Sequence, residues 1–506
     1  MKIAQIASIA ASVLVLGYAA TATALEQSVV QTDNGPIQGV VRTTTTTFFG
    51  VPFAAPPVGN LRWRPPQPAA ARVGTLDATN FRSHCMQEGS PTDPNASEDC
   101  LYLNVYAPRG NAIALPVMVW IYGGANAVGA SDFYDPTPLV ETGGVIAVTV
   151  NYRVGALGFL AHPALDSEGH AAVNYGIMDQ QLALRWVQAN ITNFGGNPAN
   201  VTIFGESAGG LDTTTHLASP LSEGLFHKAI IESGAYTLNT PNLAASEARG
   251  VAFANLIGCT DQTAACLRSK SALDVLASEG SVNTAGAAYN QSTVDGQVLV
   301  ESQISALTAG RINRVPVIQG ANSHEGRAFL PTNLTIAAYQ ATVAGFAAAV
   351  GKTPAQALAA YPLSDYANPF EAASAALGDF AFACSARLSD HALDQWVPVH
   401  AYEFADENAG PLGAAHGAEV KYLFNVTQSG AAGGPASLPL PSQQLSLAMR
   451  QYWTNFAQTG DPNGGSLPYW KRFFGFVDAY NLLIPPTPGV DLTFGYSTRH
   501  KCSFWS

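Results

Sequence analysis

The sequence predicts a mixed α/β protein built on a mostly parallel central sheet with helices on both faces. Two observations predict it. Short, continuous apolar runs rich in β-branched residues recur at residues 117–122, 145–150, 201–204, 315–318 and 399–404. A strand covered on both faces needs such a run rather than an alternating one. Between the runs lie segments with helical spacing, clearest at residues 177–189, where Leu182, Leu184, Trp186 and Val187 supply an apolar face. Strands alternating with helices give a parallel sheet with both faces covered. By average domain size 506 residues would make three domains. No linker or change of composition divides the chain, however, and one unit from residue 25 to 506 is expected.

The chain opens with Met1 and Lys2, an apolar stretch from 3 to 20, and Ala22-Thr23-Ala24. These are the parts of a secretory signal peptide over residues 1–24, and cleavage after Ala24 would leave a secreted or periplasmic protein. The alternative is a retained membrane anchor, against which Gln5, Ser8 and Ser12 dilute the apolar run. No later segment is long and apolar enough to span a bilayer. A net charge of −12 without any basic cluster argues against partners such as nucleic acid or anionic membranes. The sequence does not indicate an oligomeric state.

Residues 43–47 are a threonine run expected as a surface strand or turn, and residues 430–441, with Pro435, Pro439 and Pro441, read as a loop. The Ala- and Leu-rich segments 337–361 and 369–393 are expected to form a helical cap or side lobe. Six cysteines behind an export signal suit an oxidising compartment and permit three bridges. Their spacing alone leaves fifteen pairings. Cys85 with Cys100 and Cys259 with Cys266 would each close a short loop, leaving Cys384 and Cys502. None lies in a Cys-x-x-Cys pair, so a zinc site is not expected.

The apolar run 201–204 leads into Gly205-Glu206-Ser207-Ala208-Gly209. A strand that turns into a helix through Gly-x-Ser-x-Gly, as in an α/β-hydrolase sheet, holds its serine in a tight bend, with glycines where backbones cross. The pattern by itself is common, and its meaning depends on partners. An activated serine needs a base, an acid to orient that base, and N–H donors for the developing oxyanion. In this fold they follow in the order Ser, acid, His. His84, His162 and His170 precede Ser207, and His216 and His227 follow it too closely. His416 stands between Gly413 and Gly417 in a loop after the run ending at residue 404, whereas His391, His400 and His500 read as structural. Glu325 lies in the polar turn 320–326 after another strand. Asp379, Asp390, Asp394 and Asp406 compete by order alone. Ala208 and the loop Tyr122-Gly123-Gly124-Ala125 are placed to donate to an oxyanion.

Further motifs carry a family resemblance over nearly the whole chain. They are Phe49-Gly50-Val51-Pro52-Phe53-Ala54 with Pro56-Pro57-Val58-Gly59, Glu98-Asp99-Cys100-Leu101-Tyr102-Leu103-Asn104-Val105, Asn151-Tyr152-Arg153, Asp179-Gln180-Gln181, Phe194-Gly195-Gly196-Asn197-Pro198 and Cys502-Ser503-Phe504-Trp505. The chain resembles the type-B carboxylesterases, α/β-hydrolases that include cholinesterases, liver carboxylesterases and bile-salt-activated lipase. The resemblance implies Ser207 as nucleophile, Glu325 as acid and His416 as base, with Gly124, Ala125 and Ala208 as oxyanion donors. It implies Glu206, Ser233 and Glu419 as a supporting polar network, and it supports the bridges Cys85–Cys100, Cys259–Cys266 and Cys384–Cys502. The expected function is hydrolysis of a small-molecule or lipid ester through an acyl-serine, for which no metal and no other cofactor is expected.

Two departures bear on substrate. The segment between Cys85 and Cys100 contains no tryptophan, so choline esters are not expected. Asn126 stands where an aromatic is frequent, which suggests a more polar or open acyl pocket, shaped also by residues 286–292. The rival from another class is a non-catalytic recognition protein on the same scaffold, against which the retained serine, acid, histidine and oxyanion loop argue.

Overall fold

A computed structural model describes residues 27–110, 112–170, 173–283, 291–426, 437–475, 477–491 and 495–505. The signal segment 1–24 and most of the loops 286–292 and 430–441 lie outside the described residues.

Among the described residues, thirteen strands form one sheet: β1 (Gln27–Thr32), β2 (Gly35–Val41), β3 (Thr45–Pro52), β4 (Leu76–Asp77), β5 (Tyr102–Pro108), β6 (Leu115–Ile121), β7 (Ile146–Val150), β8 (Gly196–Glu206), β9 (Lys228–Glu232), β10 (Val317–Asn322), β11 (Val399–Phe404), β12 (Tyr480–Leu483) and β13 (Gly489–Asp491). Their order is β1-β2-β3-β5-β7-β6-β8-β9-β10-β11-β12-β13, with β4 beside β2. From β7 to β12 every pairing is parallel. Apart from the short parallel pairing of β4 with β2, the edges are antiparallel, which the apolar runs alone do not reveal.

Successive residues of the central strands enter different cores. Val117 and Val119 join one cluster while Met118 and Trp120 join the other, and Ile203 and Phe204 divide likewise. A strand's two-residue period therefore buries both faces, which is why these runs lack polar alternation. Helix α1 (Tyr175–Asn190) places Leu184 and Val187 in the first core. The expected side lobe is present as α3 (Ile336–Ala349), α4 (Pro354–Ala360), α5 (Pro369–Gly378) and α6 (Cys384–Asp394), with α2 (Ala208–Ala218) following β8 and α7 (Leu440–Thr459) near the end.

Two expectations need correction. The threonine run turns at residues 42–44 and then enters β3, where Thr45 and Thr47 are fully buried, because β2 and β5 pair on either side of it. The expected loop to residue 441 stops earlier, since α7 starts at Leu440 with Pro441 in its first turn. Proline is tolerated there because the first turn's N–H groups have no partner within the helix.

The disulfides are Cys85–Cys100, Cys259–Cys266 and Cys384–Cys502. Among the described residues, no helix is long and apolar enough to cross a membrane.

Candidate active site

Ser207 sits at the end of β8 with φ 56° and ψ −122°. Such a left-handed backbone is uncommon outside glycine and is held here from both sides. Its N–H donates to the Glu232 carbonyl at 2.8 Å. The surrounding glycines are sterically required. A Cβ on Gly205 would meet the Gly209 carbonyl carbon at 2.5 Å, and one on Gly209 would meet the Ile121 carbonyl oxygen at 1.9 Å. The bend can therefore close only with hydrogen at both positions.

Three parallel strands, β8, β10 and β11, with β9 between the first two, deliver the three residues. Glu325 follows β10 and His416 follows β11, so the sheet order places both beside the serine. His416 Nε2 lies 2.7 Å from Ser207 Oγ, and His416 Nδ1 lies 2.6 Å from Glu325 Oε2. A carboxylate can only accept, so the imidazole proton belongs on Nδ1, leaving the Nε2 lone pair for the serine O–H. Glu325 is fully buried, and its other oxygen accepts from the Asn322 N–H at 2.7 Å and the Ser233 hydroxyl at 2.5 Å.

The remaining candidates fall around this chain of contacts. Ser233 is also 3.4 Å from Glu419 Oε1, and Asn322 Nδ2 donates to Glu419 Oε2 and to the Ala415 carbonyl. Asn322 thus ties the acid turn to the histidine loop. Its position inside the quoted 320–326 turn was the only sequence signal for it. Glu206 is buried, with Oε1 3.3 Å from His416 Nε2. A Cβ on Gly123 would come within 3.0 Å of the Ser207 Cβ, so the Gly123-Gly124-Ala125 loop lies directly against Ser207. Ala208 starts α2.

The competing acids are occupied elsewhere. Asp379 accepts from Tyr361 and contacts His500, and Asp390 accepts from Gln319 and Tyr480. Asp394 accepts from the Gly475 N–H, and Asp406 from Tyr422 and Ser442. His500 bridges Asp379 and Glu403, and His391 lies 3.1 Å from Asp478, consistent with their structural reading.

Buried charge sets the protonation behaviour. Burial by itself would lower the His416 pKa, but the negative charges of Glu206 and Glu325 outweigh it and raise it above the ordinary imidazole value. Burial pushes Glu206 up to about 7, opposed by His416 and reinforced by Glu325. Glu232 is pushed up to about 8 by burial despite the bond from Trp453 Nε1, with Glu206 adding to the rise. Burial also lifts Glu419 well above its usual range, with repulsion from Glu206 and Glu325 in support.

An aromatic wall adjoins the histidine, and no motif signalled it. Phe329 and Phe382 stack at 5.7 Å and lie 4.9 and 4.7 Å from the imidazole, with Tyr236 5.3 Å from Phe382. Phe329 is half exposed, so this wall opens to solvent. Asn126 does not line the pocket as expected. It is 1% exposed and turned inward, donating from Nδ2 to Asp212 Oδ1 at 3.0 Å and accepting from the Tyr152 hydroxyl at 3.1 Å. A buried amide must be partnered, and its partners lie in the core beneath the loop.

The carboxylesterase family model matches residues 26–505. The chain belongs to the carboxylesterase family. Among its relatives, the fumonisin B1 esterase of Sphingopyxis macrogoltabida is 37% identical over 466 residues, covering 87% of this chain and 84% of that protein. The para-nitrobenzyl esterase of Bacillus subtilis (strain 168) is 34% identical, covering 87% and 91%, and the human cocaine esterase is 34% identical, covering 91% and 86%. A solved PNB esterase structure superposes with a TM-score of 0.83 at 31% identity, covering 94% of this chain and 99% of that one. This carboxylesterase is therefore a carboxylic-ester hydrolase with an α/β-hydrolase fold.

Proposed function

We propose that this carboxylesterase is exported after loss of residues 1–24 and hydrolyses uncharged carboxylic esters through an acyl-Ser207 intermediate. The observation that carries the chemistry is the unbroken contact chain Ser207 Oγ, His416, Glu325 at 2.7 and 2.6 Å. His416 takes the Ser207 proton as Oγ adds to the ester carbonyl, and the N–H groups of Gly124, Ala125 and Ala208 hold the oxyanion. The protonated His416, stabilised by Glu325, then gives its proton to the departing alcohol, and water repeats the sequence to release the acid. Glu206, Ser233 and Glu419 orient and tune this set. The Phe329–Phe382 wall offers apolar contact to one side of the substrate. Relatives named for bulky esters, such as the cocaine and para-nitrobenzyl esterases, support a substrate of that kind. A panel of esters graded in acyl and alcohol length, run beside mass-spectrometric mapping of the residue labelled by an organophosphate, tests the proposal. Labelling is expected at Ser207, and labelling elsewhere would overturn the assignment.

The pH profile gives a second check. His416 must be neutral to accept a proton, so kcat/KM should fall as pH drops through its raised pKa, above the ordinary value of about 6.5. Glu206→Gln removes a charge that favours the protonated imidazole, so the acidic limb should move to lower pH. An unmoved limb would show that Glu206 does not act on His416 electrostatically.

A further inference from the structure

The loop after β6 has two consecutive non-glycine residues in the left-handed region, Ala125 at φ 58° and Asn126 at φ 52°. Asparagine tolerates this conformation and alanine tolerates it poorly, so the turn needs outside support. That support converges on Asn126. Its carbonyl accepts from the Gly155 N–H at 2.6 Å, its side-chain oxygen accepts from Tyr152, and its amide donates to Asp212.

Asp212 is fully buried in α2, one turn beyond Ala208. Its second oxygen accepts from Gln180 Nε2 at 2.6 Å. Gln180 Oε1 in turn faces His216 Nε2 at 2.9 Å, and His216 Nδ1 faces the Ser222 hydroxyl at 2.9 Å. Burial, aided by Arg185, pulls His216 down to about 3, so it is neutral and relays the chain in one direction. The side-chain amides of Asn126 and Gln180 both donate to Asp212, which accepts from both ends, while the Tyr152 hydroxyl is shared between Asn126 Oδ1 and the Tyr122 carbonyl at 2.7 Å. A fully satisfied buried network of this kind fixes one geometry.

We propose that Asp212 is a positioning residue that locks the oxyanion loop to the helix following the nucleophile, through its hydrogen bond to Asn126. The proposal rests on the reading of Ser207 as nucleophile and of Gly124, Ala125 and Ala208 as oxyanion donors. One carboxylate then spans both sources of those donors: Asn126 adjoins Gly124 and Ala125, and α2 begins with Ala208. Donors misplaced by a fraction of an ångström bind substrate almost as before but stabilise the tetrahedral charge poorly.

The test compares Asn126→Ala, Asp212→Ala and Asp212→Asn with the exchanged pair N126D/D212N. In the exchanged pair the new amide at position 212 donates to the new carboxylate at position 126, while Gln180 and Tyr152 keep acceptors. With p-nitrophenyl butyrate, each single variant should lose roughly 10- to 100-fold in kcat with KM changed by less than about threefold. Affinity for a trifluoromethyl ketone, which forms an oxyanion on adding to the serine, should fall in parallel. The exchanged pair should recover most of both losses. Normal kcat and ketone affinity in the folded single variants, even with lowered thermal stability, would overturn the proposal. So would an exchanged pair no better than the single variants. If the single variants do not fold, a folded exchanged pair with near-native kcat supports the coupling, and one that folds but stays slow refutes it. Organophosphate labelling of the native enzyme separates the two readings: labelling away from Ser207 removes the nucleophile assignment, whereas labelling at Ser207 with unaffected variants removes only the role of Asp212.

Discussion

Ser207→Ala is expected to reduce ester turnover by roughly 10⁵- to 10⁶-fold while the protein remains folded. The substitution deletes one oxygen and leaves the rest of the site in place. Alanine keeps the N–H that bonds to the Glu232 carbonyl, and His416 keeps its contact with Glu325. Alanine and serine bear the left-handed backbone at this position at similar cost. The loss is therefore chemical, with residual rate enhancement of about 10³–10⁴ over water from the oxyanion donors and substrate binding. Steady-state turnover and thermal unfolding of the same preparation check it. Retention of activity within about tenfold of the native enzyme would eliminate the acyl-serine route.

Gly209→Ala should be among the most destabilising single substitutions in the chain, costing more than about 4 kcal/mol. The added methyl would sit 1.9 Å from the Ile121 carbonyl oxygen and 2.8 Å from that of Tyr122. Both contacts are backbone and cannot rotate away. Relief requires β6 or α2 to shift, and β6 leads straight into the oxyanion loop, so activity should fall with stability. Gly345 in α3 provides the control. Nothing lies within 4 Å of its Cβ position and its φ is not in the left-handed region, so Gly345→Ala should stabilise by about 0.5–1 kcal/mol. Denaturant unfolding of the two variants should give opposite signs, and a mild effect at Gly209 would contradict the close packing at the elbow.

The legible parts of this enzyme were those whose local chemistry admits few residues. Gly205, Ser207 and Gly209 form a bend that only glycines can flank, and chain order together with a loop or turn following a strand pointed to His416 and Glu325 as base and acid. The central strands were legible because both of their faces are buried, so they appear as uninterrupted apolar runs. The antiparallel edge was not, since Thr45 and Thr47 look like surface residues until β2 and β5 pair with their strand. Asn126 was misread for a similar reason. Its partner Asp212 lies 86 residues away, and only the packing of α2 beneath the loop turns the amide inward.

The sequence by itself determined the reaction class, ester hydrolysis, and named its candidate residues, because acyl transfer by a serine would require particular atoms in a particular chain order and the elbow requires particular glycines. Tertiary structure decided how those atoms are tuned. The raised pKa of His416, the elevated carboxyls of Glu206 and Glu232, the Phe329–Phe382 wall and the Asn126–Asp212 tie all arise between residues far apart in the chain. Burial and through-space charge set these properties, and both exist only once the sheet has brought its strand ends together.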